Sequence, residues 1–200
     1  MKNVKEKKER SLGIKLFLKA ERCNSPKCAT VRKPYRAGMH GQKRRRAISD
    51  YGRQLQEKQK VMLIYGLNNR QMLGLFKDSS PAKIYSVLEK RLDRVVYYLG
   101  FAPSPRVGRQ MVSHGHIMVN GRKVTIPSFS VKIGDKISIR PESKSSKLFE
   151  SAGERIKQVD IPSWLKIDPE KMIGECVALP SVEGVQLPFD LSLVGEFYSR

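Results

Sequence analysis

The stretch RQMVSHGHIMVNGRKV, residues 109–124, decides the fold because it contains a helix end, a tight turn and the start of a sheet. Just upstream, Ser104-Pro105 supplies a helix cap and a first-turn proline, which predicts a helix through VGRQMVSH. Asn120-Gly121 lies between two alternating runs, a strong local signal for a β-hairpin. A helix that runs directly into a hairpin is therefore expected.

The flanking sequence extends this unit in both directions. KISIR, residues 136–140, predicts a third strand after the turn at Gly134-Asp135. Upstream, apolar residues recur at intervals of three and four and predict one helix that ends at Gly100: Ile84, Val87, Leu88, Leu92, Val95 and Leu99. Residues 82–145 therefore predict two helices packed on a small, mainly antiparallel sheet, and the fold class is α+β.

The rest of the chain divides into a helical domain, a basic arm, a linker and an extension. Residues 47–81 predict a helical domain, with one helix from Ser49-Asp50 to Gly66 and a second over 68–77. Residues 1–46 show little periodicity and predict a basic extended arm that orders on its partner, with one short helix around GIKLFLK, residues 13–19. PESKSSK, residues 141–147, predicts a polar linker, and 146–186 an irregular extension.

The charge of the chain predicts a polyanionic partner. The 200 residues carry 39 Lys and Arg against 19 Asp and Glu, a net charge of +20. Residues 1–60 alone hold 19 of the basic and 5 of the acidic side chains. Clustered Lys and Arg bind nucleic acid with release of counterions. A membrane surface is disfavoured because RKPYRAGMHGQKRRR, residues 32–46, has no apolar helical face.

Location is predicted from what the chain does not contain. The first residues, MKNVKEKKERSLG, lack the apolar core of a signal peptide, and no apolar run approaches the length of a membrane span. Three cysteines are too few for a secreted disulfide framework. We therefore expect a cytoplasmic protein.

Several stretches resemble one known family. LEKRLDRVVYYLGFAPSPRVGRQMVSHGHIMVNGRKVTIPSFSVKIGDKISI, residues 88–139, resembles the S-four RNA-binding domain. ISDYGRQLQEKQKVMLIYG (48–66), KLFLKAERCNSPKCA (15–29), GMHGQKRRR (38–46) and the terminal EFYSR fall in the order found in bacterial small-subunit ribosomal protein S-four. The resemblance covers nearly the whole chain.

The resemblance implies a ribosomal role without enzymatic activity. A member of this family would bind a helix junction in the 5′ domain of 16S ribosomal RNA and nucleate assembly of the small subunit. It would sit beside protein S-five, near the channel where messenger RNA (mRNA) enters, and contribute to translational accuracy. The family fold implies that the C-terminal segment 187–200 returns to complete the helical domain.

The candidate RNA-binding residues lie in two groups. On a helical wheel, Arg106, Arg109, Gln110 and Ser113 share one face, while Val107, Met111 and Val112 share the other. Aromatic and imidazole side chains interleaved with basic ones suit stacking and phosphate contact on folded RNA. The predicted contacts are Arg32, Lys33, Tyr35, Arg36, His40, Lys43, Arg44, Arg45, Arg46, Tyr51, Arg53, Lys58, Arg106, Arg109, Gln110, Ser113, His114, His116, Asn120, Arg122 and Lys123.

The two histidines flanking Gly115 have three interpretations. A metal or catalytic site would need a third partner, and the nearby sequence offers no Cys, Asp or Glu at a usable spacing. His114 and His116 could also be a polar pair at a helix end and strand start. We favour RNA contact, because imidazole hydrogen-bonds phosphate and 2′-hydroxyl groups.

Two other motifs suggest chemistry that we do not expect. Cys23 and Cys28 could hold two corners of a zinc tetrahedron, but the upstream cysteine pair of the family's metal-bearing version is absent, and Glu6 and Glu9 stand about where it would be. We expect a half-site without zinc, with a Cys₂Glu₂ site, or one including His40, as the alternative. Asp93 lies in an Arg-Leu-Asp triplet like that of some pseudouridine synthases; we predict a structural ion pair.

Two other functions remain as alternatives. An S-four-domain RNA-modifying enzyme or a stalled-ribosome factor would need a separate catalytic module, which neither the basic 1–80 nor the irregular 141–200 resembles. A DNA-binding regulator could use 83–114 as a helix-turn-helix, but the second helix runs directly into a hairpin and offers its arginines toward phosphates.

Overall fold

The computed structural model describes residues 5–18, 20–43, 47–77, 80–146, 148–182 and 187–199. The chain forms two compact units. The first combines residues 1–81 with 186–200, and the second comprises 82–185. No helix among the described residues is both long and apolar enough to cross a bilayer.

The first unit begins with three short helices, so the expectation of an extended arm is wrong for its described residues. They are α1 (Lys5–Leu12), α2 (Ala20–Cys23) and α3 (Ala29–Arg32). The predicted helix over GIKLFLK is also misplaced, because Gly13, with φ 75°, ends α1 instead of preceding a helix. The buried Glu9 carboxylate accepts the amides of Leu16 and Leu18 at 3.1 and 3.3 Å, which holds that stretch in a non-helical path.

The two predicted helices of the first unit are confirmed with their caps. α4 spans Asp50–Tyr65; the Ser49 hydroxyl accepts the Gly52 amide, and Gly66, at φ 62°, ends the helix. α5 spans Asn69–Phe76 and begins with a capping box formed by Asn68 and Gln71.

The C-terminal helix α10 (Leu191–Tyr198) packs on α4. The Gln54 side-chain amide donates to Glu196 at 2.9 Å, and the Asp190 backbone amide donates to Glu57 at 3.0 Å. The rings of Tyr51 and Phe197 lie 5.7 Å apart. Residues far apart in sequence therefore share one core.

The second unit begins with three helices where one long and one short helix were predicted. α6 (Pro81–Glu89) and α7 (Leu92–Tyr98) are separate, and α8 spans Pro105–Ser113. The helix is interrupted at Arg91, which has extended backbone angles and forms an antiparallel β-bridge with Ser130. The Val131 amide donates to Lys90, and the Leu92 amide to Phe129, both at 2.9 Å. This long-range pairing replaces helical hydrogen bonds that the apolar spacing alone would predict.

A five-stranded antiparallel sheet completes the second unit. Its strands are β1 (Ile117–Val119), β2 (Arg122–Lys123), β3 (Lys136–Ile139), β4 (Leu165–Asp168) and β5 (Ile173–Cys176), in the order β2-β1-β3-β5-β4. The predicted hairpin and third strand are confirmed, as is the α+β class. The segment expected to be irregular instead contributes β4, β5 and helix α9 (Ala152–Gln158). The predicted linker holds a 3-10 turn at Pro141–Ser143, with Ser143 buried.

The core of the second unit lies between its helices and the sheet. Fully buried side chains come from α7, α8, β1 and β3, and aromatic residues from the later segment close the core: Leu92, Val95, Val96, Leu99, Phe101, Met111, Val112, Ile117, Ile137, Ile139, Phe149 and Trp164. The hairpin that follows α8 is thus anchored on a packed base, which fixes the position of its outer side chains.

Candidate nucleic-acid interface

Helix α8 presents a polar face on a buried base. Its start is fixed because the Ser104 hydroxyl accepts the Val107 amide at 3.4 Å and Pro105 occupies the first turn. Met111 and Val112 are buried, whereas Gln110 and Ser113 are exposed and Arg106 and Arg109 are partly exposed. The predicted division of the helix into two faces is confirmed, while RNA contact by its polar face stays a prediction.

The hairpin carries two basic side chains, one of which lies next to the end of α8. Asn120 and Gly121 both have positive φ, 50° and 76°, as the tight turn requires. Arg122 and Lys123 are exposed on β2. The Lys123 side chain lies so close to Gly115 that a Cβ added there would be 2.2 Å from its Cε. The Lys123 side chain therefore lies beside the α8 end, where His114 is exposed.

Two predicted contacts, whose binding to RNA stays a prediction, have hydrogen-bond partners inside the second unit. The His116 Nδ1 lies 3.0 Å from the Ser143 hydroxyl, and its ring meets Phe149 edge-on at 6.1 Å. The Asn120 amide donates to Asp135 at 2.8 Å and accepts from the Lys136 backbone at 2.9 Å. These geometries favour structural roles for His116, as in the polar-pair interpretation, and for Asn120.

The environment of His116 also affects its charge. Burial lowers the pKa of His116 from its ordinary value, and electrostatic interactions with the nearby His114, Arg140 and Lys123 side chains lower it further. The neutral imidazole is therefore the form that the folded unit favours.

Asp93 is held in a buried ion pair in the first turn of α7. Its carboxylate accepts from the Arg91 guanidinium at 3.0 and 2.7 Å, and Arg109 of α8 approaches to 4.0 Å. The side chain is only 5% exposed. This arrangement matches the predicted structural ion pair, although Asp93 lies near the helix start instead of mid-helix and Arg94 pairs with Glu89.

In the first unit, one arginine organises the basic loop 33–43. The Arg10 guanidinium donates to the carbonyls of Lys33, Tyr35 and Arg36 at 3.0, 2.9 and 3.2 Å, and it lies 5.0 Å from the Tyr35 ring centre. Arg32, Lys33, Arg36, His40 and Lys43 are exposed around this clamp. Sequence reasoning missed Arg10, because nothing distinguishes it from its basic neighbours in KEKKER.

The remaining predicted contacts of the first unit have partners within it. The Lys58 ammonium lies 4.4 Å from the Phe197 ring centre and 5.4 Å from that of Tyr198. Tyr51 packs on Phe197, and Arg53 pairs with Asp50 at 3.5 Å on the surface. Lys58 and Tyr51 therefore also stabilise the α4–α10 contact. Arg44, Arg45 and Arg46 lie outside the described residues.

The residues of the possible zinc site make structural contacts. Cys23 and Cys28 are buried thiols, but Glu6 pairs with Arg22 at 3.0 Å and Glu9 holds two backbone amides. Among the described residues, no group of three or more His, Cys, Asp or Glu is arranged to hold a metal ion.

The electrostatic environment distinguishes the cysteines. Burial alone would raise the pKa of the Cys28 thiol, but hydrogen bonds with the backbones of Val31 and Thr30, aided by the Thr30 side chain and Lys15, lower it overall. Burial, followed by the charge of Asp135, raises the pKa of Cys176, whose thiol lies 3.3 Å from the Ala178 carbonyl. Cys176 is therefore a buried core residue.

Comparison with known proteins identifies the family of the chain. Residues 1–96 match the ribosomal protein S4/S9 N-terminal domain, and residues 90–137 match the S4 domain. Small ribosomal subunit protein uS4 of Thermus thermophilus is 48% identical over 194 residues, covering 94% of this chain and 93% of the relative. The uS4 proteins of Caldicellulosiruptor bescii and Syntrophus aciditrophicus are each 45% identical over the same shares. The resemblance is thus confirmed, and the chain belongs to the family of small ribosomal subunit protein uS4.

Proposed function

We propose that the chain is a structural constituent of the small ribosomal subunit, without catalytic activity of its own, and that it binds 16S ribosomal RNA. The observation that carries this proposal is the polar face of α8, held on a packed base, with Lys123 beside the end of the helix and Arg122 exposed on the same hairpin. The concentration of 19 basic side chains in residues 1–60 supports it, as do relatives that are named small-subunit proteins.

The mechanism that we propose is positioning. Lys and Arg contacts to phosphates fix the protein on the RNA without reading its sequence, and the shape of the folded RNA supplies specificity. Two units that each carry basic side chains can hold separate RNA helices of one junction. Such binding would nucleate folding of the 5′ domain during assembly in the cytoplasm.

The proposed location on the subunit is finer than the family assignment. We place the chain beside protein S-five and near the channel where mRNA enters, with a contribution to translational accuracy. Support for this placement comes from the resemblance of the whole chain to its family, which extends to the EFYSR end.

A competition titration tests RNA binding directly. The full chain is titrated against a transcript of the 16S 5′ domain at several salt concentrations, with bulk transfer RNA or duplex DNA as competitor. We expect tight binding that survives both competitors. Affinity that falls to the level of any RNA would contradict the proposal and favour the docked-enzyme alternative, and preference for duplex DNA would favour the regulator.

A matched pair of variants locates the contact on the second unit. Arg122→Gln removes an exposed charge from the hairpin, and Lys157→Gln removes one from the exposed side of α9. If Arg122 contacts a phosphate, its variant alone lowers the salt dependence of log K by about 1. Equal effects of the two variants would show that only net charge matters.

We further propose that no zinc is bound at Cys23 and Cys28. Glu6 and Glu9, the carboxylates of the alternative Cys₂Glu₂ site, bind Arg22 and two backbone amides. Elemental analysis of the purified protein should find zinc well below one equivalent, unchanged in Cys23→Ser. Stoichiometric zinc that is lost in Cys23→Ser would refute the proposal.

A further inference from the structure

A cavity of 580 Å³ lies within the first unit, between the basic loop 33–43 and the first half of α4. Pockets of about 300–1,000 Å³ hold small ligands in proteins. One wall carries Arg36, His40 and Lys43, and the opposite wall is formed by α4. The cavity therefore has the size for one nucleotide and a cationic side for its phosphate.

The cationic wall is held by specific contacts. Arg10 binds three carbonyls of the loop, ending at the Arg36 carbonyl at 3.2 Å. Gly41 passes so close to that carbonyl that a Cβ would lie 1.9 Å from its oxygen. Because glycine is required at this approach, the loop is tightly folded, and the positions of Arg36 and His40 are set by its backbone.

The α4 wall supplies different chemistry. Leu55, Gln56 and Gln59 lie on the cavity side at helical spacing, and Leu12 adds a second apolar side chain. A glutamine side chain can both donate to and accept from the edge of a base, and leucine can pack on its face. At the N-terminus of α4, the Gly52 amide already donates to the Ser49 hydroxyl. The helix N-terminus is therefore not the group that would bind the phosphate.

We propose that this cavity receives a single unstacked nucleotide of the bound RNA, with its phosphate against Arg36, His40 and Lys43 and its base against Leu55, Gln56 and Gln59. The inference rests on the proposed RNA binding. It adds that the first unit reads one extruded nucleotide as well as charge. RNA is favoured over a free nucleotide because the exposed Arg32 and Lys33 continue the positive charge along the loop.

The first test fills the cavity without changing charge. Gln59→Trp should weaken binding of the full chain to the 5′-domain transcript about tenfold, because the indole would occupy the space of the base and remove its contacts. Gln158→Trp, at the exposed end of α9, is the matched control and should bind as the wild type does. Hydrogen exchange of α4 amides in both variants verifies that the first unit stays folded.

A second test identifies the occupant. A benzophenone amino acid replaces Gln42, an exposed residue between the cavity-lining Gly41 and Lys43, in the full chain, and crosslinks to the transcript are mapped by reverse transcription. We expect one dominant crosslinked nucleotide, undiminished by a millimolar mixture of free nucleoside monophosphates.

The outcomes separate this inference from the proposed function. Wild-type binding that lacks specificity would contradict both. Specific wild-type binding that is unaffected by Gln59→Trp, or crosslinks spread along the RNA, would overturn the cavity inference alone. Crosslinking abolished by free monophosphates would also overturn it, because the cavity would then take a free nucleotide.

Discussion

At the level of single residues, Asp93 links two helices of the second unit. Its carboxylate is bound by Arg91. Its backbone carbonyl lies so close to Gly108 of α8 that a Cβ on Gly108 would be 2.8 Å from the carbonyl oxygen. Asp93→Asn would leave the Arg91 guanidinium buried without its counter-charge. We expect a loss of about 3–5 kcal/mol in the stability of this unit, which is the usual cost of breaking a buried pair.

This loss can be measured by hydrogen exchange of the α7 and α8 amides in the full chain. The control is Asp168→Asn, which removes the charged partner of Lys171 from an exposed pair of the same unit, with side chains 42% and 73% exposed. Exposed pairs contribute about 0–1 kcal/mol, so this variant should be close to wild type. Similar losses in both variants would show that the Arg91–Asp93 pair is not a special anchor.

From the lowered pKa of His116 we expect the stability of the second unit to depend on pH. Its pKa is lower in the folded state than the ordinary value of 6.5, so the unfolded chain binds the proton more readily. The stability due to the neutral imidazole is therefore present above pH 6.5 and is lost as the pH falls through the lower, folded value. The midpoint temperature of thermal unfolding, measured at ~0.1 M salt, should decrease between pH 7.5 and pH 5.

The variant His116→Asn isolates this contribution from the titration of other groups. It should have a flatter dependence on pH than the wild type, because the group that titrates is gone. His40→Asn, at an exposed position of the first unit, should leave the dependence unchanged. If the His116 variant and the wild type lose stability in parallel, the imidazole does not contribute to this pH dependence.

At the level of elements, we expect substitution of alanine for two glycines to change stability in opposite directions. A Cβ on Gly174 of β5 would lie 2.3 Å from Leu99 Cδ1, so Gly174→Ala should destabilise the second unit by about 1–3 kcal/mol. Among the described residues, apart from the adjacent residues and the backbone of α10 itself, no atom lies within 4 Å of a Cβ on Gly195, so Gly195→Ala should stabilise the first unit by about 0.5–1 kcal/mol. Chemical denaturation, monitored in each unit by hydrogen exchange, measures both changes in stability. A neutral Gly174→Ala would mean that β5 can move away from Leu99.

The elements that could be predicted from the sequence are those with local signals. Ser49 and Gly66 define the ends of α4, Ser104 and Pro105 begin α8, and Asn120-Gly121 closes the hairpin. Each signal acts within a few residues, so no knowledge of the fold was needed.

Other elements depend on contacts that are distant in sequence. The break between α6 and α7 forms because residues 127–131 pair with the backbone around Arg91. β5 exists as a strand because it pairs with both β3 and β4, although IGEC has little strand character by itself. In the candidate site, the exposed face of α8 followed from helical spacing, whereas the Arg10 clamp and the internal bonds of His116 and Asn120 required the fold.

For the whole molecule, the uneven distribution of charge separates specific contact from general attraction. Residues 1–60 carry 19 basic and 5 acidic side chains, whereas residues 151–200 carry 5 and 8. If binding depended only on the net charge of +20, removing two positive charges would have the same effect anywhere. If phosphates contact the first unit, the position of the removed charges decides the effect.

Two double variants with equal loss of charge test this. Arg32→Gln with Lys33→Gln removes two exposed charges beside the Arg10 clamp, and Lys157→Gln with Lys166→Gln removes two exposed charges from α9 and β4. For the first pair we expect the slope of log K against log salt to become shallower by about 2, one for each lost phosphate contact. The second pair should keep the wild-type slope. Equal slopes in the two double variants would mean that the RNA responds to total charge, and the proposed phosphate contacts of Arg32 and Lys33 would be wrong.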